Sequence, residues 1–365
     1  MAKVILLSQF PLPYSKIGSW TTLYANYIQH HQHKIDYVVC PKPKQPFQQV
    51  QYSFIGDTFR NKVSRKFFGK SYSGYFDALK KIFKPYETYV IQVADNQGLI
   101  KPLVEFLNSI GIRNRVYIQY FHHGFSPLYT NQMSGPFFDA IDEIVLLTHD
   151  SYKFYQQYYT VFPSRVSILH NGIDTSKFYR PSSAQKRQLK SELGISAGTT
   201  FIWCAKDRPK KGLDLLLDAW KRIYSQDKDI ALLVVGSTRT LNVEGVMEIG
   251  VVPNDQLPKY FQASDVYLFP TLCKEGFGMT LIEALHCGNY CIAAANGGVP
   301  EVLQYGKLGQ LVDSPNKVAD WVSAIEEYLQ TPPVAPVLPD GLYTMEAWNH
   351  GMDEIIDNAK ISIQR

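Results

Sequence analysis

Few cysteines occur, and none is arranged for a metal or a disulfide framework: Cys40, Cys204, Cys273, Cys287 and Cys291 are odd in number, widely spaced and free of a CxxC pair. That excludes a zinc ribbon and a stapled secreted scaffold, and it fits a reducing compartment. No apolar run approaches the ~20 residues that cross a bilayer, and residues 1–7 hold too short an apolar stretch for a signal peptide. The expected location is cytoplasmic, or against the inner face of a membrane. Neither charge sign is in large excess: 37 Lys and Arg stand against 33 Asp and Glu, a net +4. That is too mild to announce a nucleic-acid binder, so no nucleic-acid partner is expected. Repeats of solenoid length and low-complexity tracts are absent as well.

What is present is 365 residues, a length that predicts two domains at ~150 residues each. The charge is unevenly spread. Residues 1–165 carry 18 basic and 10 acidic side chains, whereas the remainder carries 19 and 23. Short apolar runs alternate with longer amphipathic stretches, the pattern of parallel sheets with crossover helices. Strands are expected at 4–7, 35–40, 89–93, 116–121, 144–147 and 166–169. After a pause at Arg180-Pro181-Ser182-Ser183 and a polar helical stretch, a second set is expected at 201–205, 231–235, 246–251, 266–269, 290–293 and 309–312. Pro332-Pro333 and the proline-rich 336–339 then break the pattern before a closing helix at 346–359. The fold class is therefore α/β, with two Rossmann-like doubly wound domains, 1–171 and 172–344. A C-terminal helical segment, 345–365, is expected to cross back to the first domain. Open sheets of this kind bind ligands beyond the carboxyl ends of their strands, so a central cleft faced by both domains is the expected site.

The most informative segment follows the expected strand 266–269 and runs from Pro270 to Leu285. Glu275 and Glu283 are eight residues apart, about 80° out of line on one unbroken helix. Gly276 and Gly278 instead favour a tight turn with a helix starting near Met279. Glu275 then sits on the loop and Glu283 about one turn inside. The first-turn amides and the positive end of the helix dipole attract a phosphate, and the carboxylates suit a hydroxyl-rich ligand. A plain helix cap with a solvated Glu283 is the alternative account of the same junction. Lys206, Arg208, Lys210 and Lys211 crowd the turn after strand 201–205, ahead of a helix over 213–224. Alone they fit a solvated turn; beside an anion-binding helix start, a diphosphate is their obvious partner.

These motifs, with Asn171-Gly172-Ile173-Asp174, Val234-Val235-Gly236, the stretch 257–270 and Gly297-Gly298-Val299-Pro300-Glu301, occur in an order and spacing that resembles the family-4, or group 1, retaining glycosyltransferases of the GT-B type. The resemblance covers almost the whole second half. It implies that Glu275 contacts hydroxyls of a donor sugar and Glu283 the nucleotide's ribose. The amides around Phe277, Gly278, Met279, Thr280 and Leu281, with Gly276, would face the distal phosphate and sugar. Where the family usually places Arg and Lys on the diphosphate, this chain has Lys206 and Lys211, and Arg208 is available to share the task. Gly236 belongs to the donor-binding set, and Val252 lies where the family's chain passes the base. UDP- or GDP-sugars are the expected co-substrates, with no cofactor and no metal, since the chain has no DxD placed to serve.

In the first half, Gly18 opens the first helix and by the resemblance belongs to the donor-binding set, at the acceptor and diphosphate contact where the family usually has two glycines; Ser19 takes the second place. His122 and His123 end the strand 116–121, and adjacent strand residues point to opposite faces. Gly124 after it makes His123 the match to the family's active-site histidine and leaves His122 a structural role. His30, His31 and His33 suit a helix C-terminus better than a metal site. Phe59, Val63 and Phe67 recur at i, i+4 and i+8 among five cations in 59–70. That segment is either a surface helix or a peripheral membrane contact.

The expectation is transfer of a sugar to a hydroxyl of a glycan or lipid-linked acceptor with retained anomeric configuration. His123, Lys206, Lys211 and Glu275 form the catalytic set. A nucleotide-sugar 2-epimerase and a non-catalytic nucleotide-sugar-binding subunit share the architecture and stand as alternatives.

Overall fold

The computed structural model describes residues 2–14, 18–56, 72–127, 134–159, 162 and 164–364. The segment 59–70, singled out above as a possible membrane contact, lies outside them. Among the described residues no helix is long and apolar enough to cross a membrane. The chain divides into two units, Met1–His170 with Met345–Arg365, and Asn171–Thr344.

The first unit is built on seven parallel strands: β1 (Lys3–Leu7), β2 (Tyr37–Cys40), β3 (Gln51–Phe54), β4 (Tyr89–Ala94), β5 (Val116–His122), β6 (Glu143–Leu146) and β7 (Arg165–Ile168). Their order is β3-β2-β1-β4-β5-β6-β7, which reverses direction between β1 and β4. β4 and β5 are buried along their whole length, as expected for strands covered on both faces by crossover helices. β3 is not among the strands expected from sequence: its four residues, Gln-Tyr-Ser-Phe, alternate in polarity but form too short a run at a sheet edge to stand out. The helix Met345–Ser362 belongs to this unit. It packs Trp348 edge-on against Tyr24 and Tyr27 and buries Met352 and Ile356 in the same core. Asp353 accepts from the Tyr27 hydroxyl and lies 3.0 Å from His31 Nε2.

The second unit holds β8 (Thr199–Cys204), β9 (Ile230–Val235), β10 (Val246–Gly250), β11 (Val266–Phe269), β12 (Tyr290–Ala294) and β13 (Gly309–Val312), all parallel. The order β10-β9-β8-β11-β12-β13 again reverses beside the first strand of the unit. Helix Leu213–Tyr224 shows why the sequence folds this way. Leu213, Leu216, Leu217, Trp220 and Ile223 recur at helical spacing and are buried, while Asp214 near its start and Lys221 and Arg222 near its end complement the dipole. Gly212 caps it at φ +72°, and a Cβ there would stand 2.0 Å from the carbonyl oxygen of Pro270. Gly212→Ala is therefore expected to destabilise the protein by about 2 kcal/mol or more, through the left-handed φ and the backbone clash together. The check is a lower denaturation midpoint at unchanged m-value.

Candidate functional site

In a doubly wound sheet the crevice lies where the strand order reverses, because the loops leaving the two neighbouring strands run to opposite faces. In the second unit that point is the carboxyl edge between β8 and β11. A pocket of about 240 Å³ opens there, and its lining includes Lys206, Lys211, Glu275, Gly278, Met279 and Thr280. The basic turn after β8 and the loop after β11 are 60 to 70 positions apart in the chain, and the sheet brings them together.

Each wall has a local cause. Lys206 and Arg208 are exposed on a turn fixed by Asp207 between them. Asp207 accepts from Ser237 Oγ at 2.7 Å and from Arg239 Nε at 2.6 Å. Lys211 lies in the short 3₁₀ turn Pro209–Lys211, and its Nζ is 2.5 Å from Glu275 Oε2. Both side chains are only about one-fifth exposed (21% each), so without a ligand each is the other's counter-charge. The Glu275 main chain is held by Gly297 and Gly298, whose segment pairs with it as a parallel bridge, with Gly298 N–H donating to the Glu275 carbonyl at 2.8 Å. Gly297 has φ +67°, and a Cβ on it would fall 2.3 Å from that carbonyl oxygen, which explains the first glycine of the pair.

The helix of the E-x7-E motif runs Met279–His286 from Gly278 at φ +92°. The amides of Leu281 and Ile282 already donate to the Gly278 carbonyl, at 3.0 and 3.4 Å. The expectation that the amides through Leu281 face an anion thus loses Leu281, and of the helix's own amides it leaves Met279 and Thr280, at the open end. The Phe277 side chain is buried edge-on against Tyr343, so only its backbone could serve a ligand, and Leu281 is wholly buried. Arg208, Gly236, Val252, Gly276 and Glu283 also lie outside the pocket lining. Gly236 instead closes on β8: a Cβ there would stand 2.1 Å from the Ala205 carbonyl oxygen.

Glu283 is partly exposed as a residue, but its Oε2 is buried and has no hydrogen-bond partner. Burial pushes its carboxyl up to about 7. It acts electrostatically on Cys204, which lines the pocket. An acceptor oxygen left without a donor is expensive, and a buried group of this kind calls for a partner such as a water, an ion or a ligand. Tyr267, which sequence reasoning missed, donates to Thr280 Oγ1 at 2.7 Å and stands 3.3 Å from the Cys204 carbonyl oxygen. It ties the end of β8 to the helix start. Its position inside a plain apolar strand gave no signal.

In the first unit, Gly18 caps the helix Ser19–His30 with extended backbone, so its φ of −161° requires no glycine. The tight contact is with the Thr21 hydroxyl, 2.7 Å from where a Cβ would stand. His122 is buried and its Nε2 lies 3.1 Å from the Ser126 carbonyl oxygen, the structural role expected of it; burial lowers its pKa. His123 stacks on Trp20 with ring centroids 6.3 Å apart.

Residues 198–331 match the family described as glycosyl transferases group 1. Relatives include a D-inositol 3-phosphate glycosyltransferase of Segniliparus rotundus, 32% identical over 194 residues that make up 48% of this chain and 42% of that protein. A GDP-mannose-dependent alpha-(1-6)-phosphatidylinositol monomannoside mannosyltransferase of Mycobacterium tuberculosis is 30% identical over 179 residues, 44% of this chain and 46% of that protein. The match therefore spans a little under half the length of these relatives. Among solved structures, sucrose-phosphate synthase from Thermosynechococcus elongatus superposes with a TM-score of 0.73 at 15% identity, covering 99% of this chain and 100% of that one. Anabaena HepE in complex with UDP and glucose gives 0.73 at 14% identity, covering 98% and 100%. Over residues 198–331 the chain is thus similar to the glycosyl transferases group 1 family, and its two Rossmann-like units have the GT-B fold.

Proposed function

We propose that this protein is a retaining glycosyltransferase that moves a sugar from a nucleotide diphosphate sugar to a hydroxyl of a glycan or lipid-linked acceptor. The observation that carries the proposal is the convergence, at the switch point of the second sheet, of the Lys211–Glu275 pair and the open amides of Met279 and Thr280, with the unpartnered buried oxygen of Glu283 one turn further along the same helix. The relatives and neighbours support it by what their names state: GDP-mannose for one, UDP with glucose for another. A UDP- or GDP-sugar is accordingly the donor class tested first.

In this proposal a diphosphate enters against Lys206, Lys211 and the two helix-start amides, which stabilise the charge of the leaving group without a metal. Lys211 exchanges one anion for another as it does so. That frees Glu275 to accept hydrogen bonds from hydroxyls of the donor sugar, while Glu283 accepts from the ribose. The leaving diphosphate takes the acceptor's proton as the new bond forms on the same face, which retains configuration and needs no carboxylate nucleophile. His123, in the first unit, keeps the active-site role that the resemblance implies for it.

The test is calorimetric titration with UDP, GDP, UDP-glucose and GDP-mannose. Glu283→Ala is expected to weaken free nucleotide and intact donor alike, by about 10-fold, the worth of roughly one charged hydrogen bond. Glu275→Ala is expected to weaken the intact donor and leave the free nucleotide within twofold. Equal and negligible effects from both substitutions would refute these roles.

A further inference from the structure

The first sheet has its own switch point, between β1 and β4, and the residue that leaves β4 there is Asp95. Three features set it apart. Its backbone is left-handed, at φ +49°, a conformation that a non-glycine residue adopts at some strain and that aspartate and asparagine tolerate best. Its N–H is fixed by the Phe121 carbonyl of the neighbouring strand at 3.0 Å. Both carboxylate oxygens then turn to one residue: Oδ1 accepts the His123 backbone N–H at 2.9 Å, and Oδ2 lies 3.1 Å from His123 Nδ1. Burial opposes ionisation of Asp95, but the side-chain and backbone hydrogen bonds from His123 outweigh it and hold the carboxyl below its ordinary range.

An ionised carboxylate only accepts hydrogen bonds, so the nitrogen facing it must carry the proton. Trp20, stacked on the ring, fixes its tilt. Backbone and ring of His123 are thus clamped by a single side chain, and Nε2 is the nitrogen with no hydrogen bond among the described residues.

We propose that Asp95 is the positioning residue of His123: it holds Nδ1 protonated, so that the neutral ring presents the lone pair of Nε2 as an acceptor for a sugar hydroxyl. This rests on the role given to His123 above and adds to it the sense of the hydrogen bond, from substrate to protein.

Asp95→Asn separates geometry from chemistry. Asparagine keeps the left-handed backbone and an oxygen for the His123 N–H, but its amide donates where the carboxylate accepted, and the ring must reverse its tautomer. In ¹⁵N-histidine NMR spectra of the full chain, His123 is expected as the Nδ1–H form in the unsubstituted protein and as the Nε2–H form in Asp95→Asn. Turnover of UDP-glucose or GDP-mannose, whichever binds, is expected to fall about 10-fold, with nucleotide affinity within twofold. Asp95→Gly, which relieves the backbone and removes the carboxylate, should lower turnover similarly and leave a mixture of tautomers. An Nε2–H ring in the unsubstituted protein, or full turnover in Asp95→Asn where His123→Ala has lost it, overturns the proposal. Full turnover in His123→Ala would instead overturn the role of His123, and the NMR result, which needs no turnover, still decides what Asp95 does to the ring.

Discussion

Lys211→Ala is expected to lower kcat/KM for the sugar donor by about 100- to 1,000-fold, the range seen when one preorganised group that stabilises developing charge is removed. The side chain lines the pocket, is about one-fifth exposed, and has its ammonium already in an anionic contact with Glu275. A diphosphate leaving group gains charge as the glycosidic bond breaks, so an ammonium at that point counts more in the transition state than in the ground state. The loss should therefore appear in kcat more than in donor affinity. The substitution also strands Glu275, a partly buried carboxylate, without its counter-charge. Glu275→Gln added to Lys211→Ala is expected to recover thermal stability and no activity, which separates the two consequences. Lys206→Ala, on an exposed turn, should leave the ligand-free stability unchanged.

The second large effect concerns Glu283 and pH. In the ligand-free fold its carboxyl sits at about 7, against 4.5 for an unburied glutamate. A carboxyl raised by folding favours the folded state only when protonated. The protein accordingly loses stability as pH rises from about 4.5 to about 7, by roughly 3 kcal/mol in all, and loses no more above that. Glu283→Gln removes the effect: its melting temperature should exceed that of the unsubstituted protein by several degrees at pH 8 and match it near pH 4.5. Ligand binding runs the other way. Ribose hydroxyls donate to the ionised form, so nucleotide binding expels the proton, and the apparent Kd should tighten about 10-fold between pH 6 and pH 8. In Glu283→Gln that pH dependence should vanish while affinity falls. A Glu283 that served only as a structural acid would give neither the tightening nor its loss.

Both predictions turn on residues named from sequence, yet the sequence and the structure contributed differently to each. The spacing Glu275-Gly276-Phe277-Gly278-Met279 told of a loop followed by a helix, because two glycines cannot continue a strand and Met279 starts a helical run; the helix does begin at Met279. The expected strands of the second unit recur within a residue or two; the central ones, β8, β9, β11 and β12, are nearly fully buried and so read as continuous apolar runs. β3 escaped because an edge strand of four residues needs only two apolar side chains. Asp95 escaped as well: an aspartate after a strand is common, and nothing local shows that its two oxygens meet His123, 28 positions away. Likewise the sequence treated Leu281 as a phosphate-facing amide, whereas the tight start of the helix spends that N–H on Gly278.

The order of the strands, the glycine turns and the residue types at the pocket are properties of the sequence, because hydrophobic periodicity and left-handed backbone positions are written in neighbouring residues. Tertiary structure alone decided that Lys211 neutralises Glu275, that Glu283 has an oxygen shut away from any donor, and that both oxygens of one aspartate meet the backbone and ring of one histidine. Those are facts about charge, solvent exclusion and hydrogen-bond direction, and each depends on groups that meet only when separate strands of a sheet lie side by side.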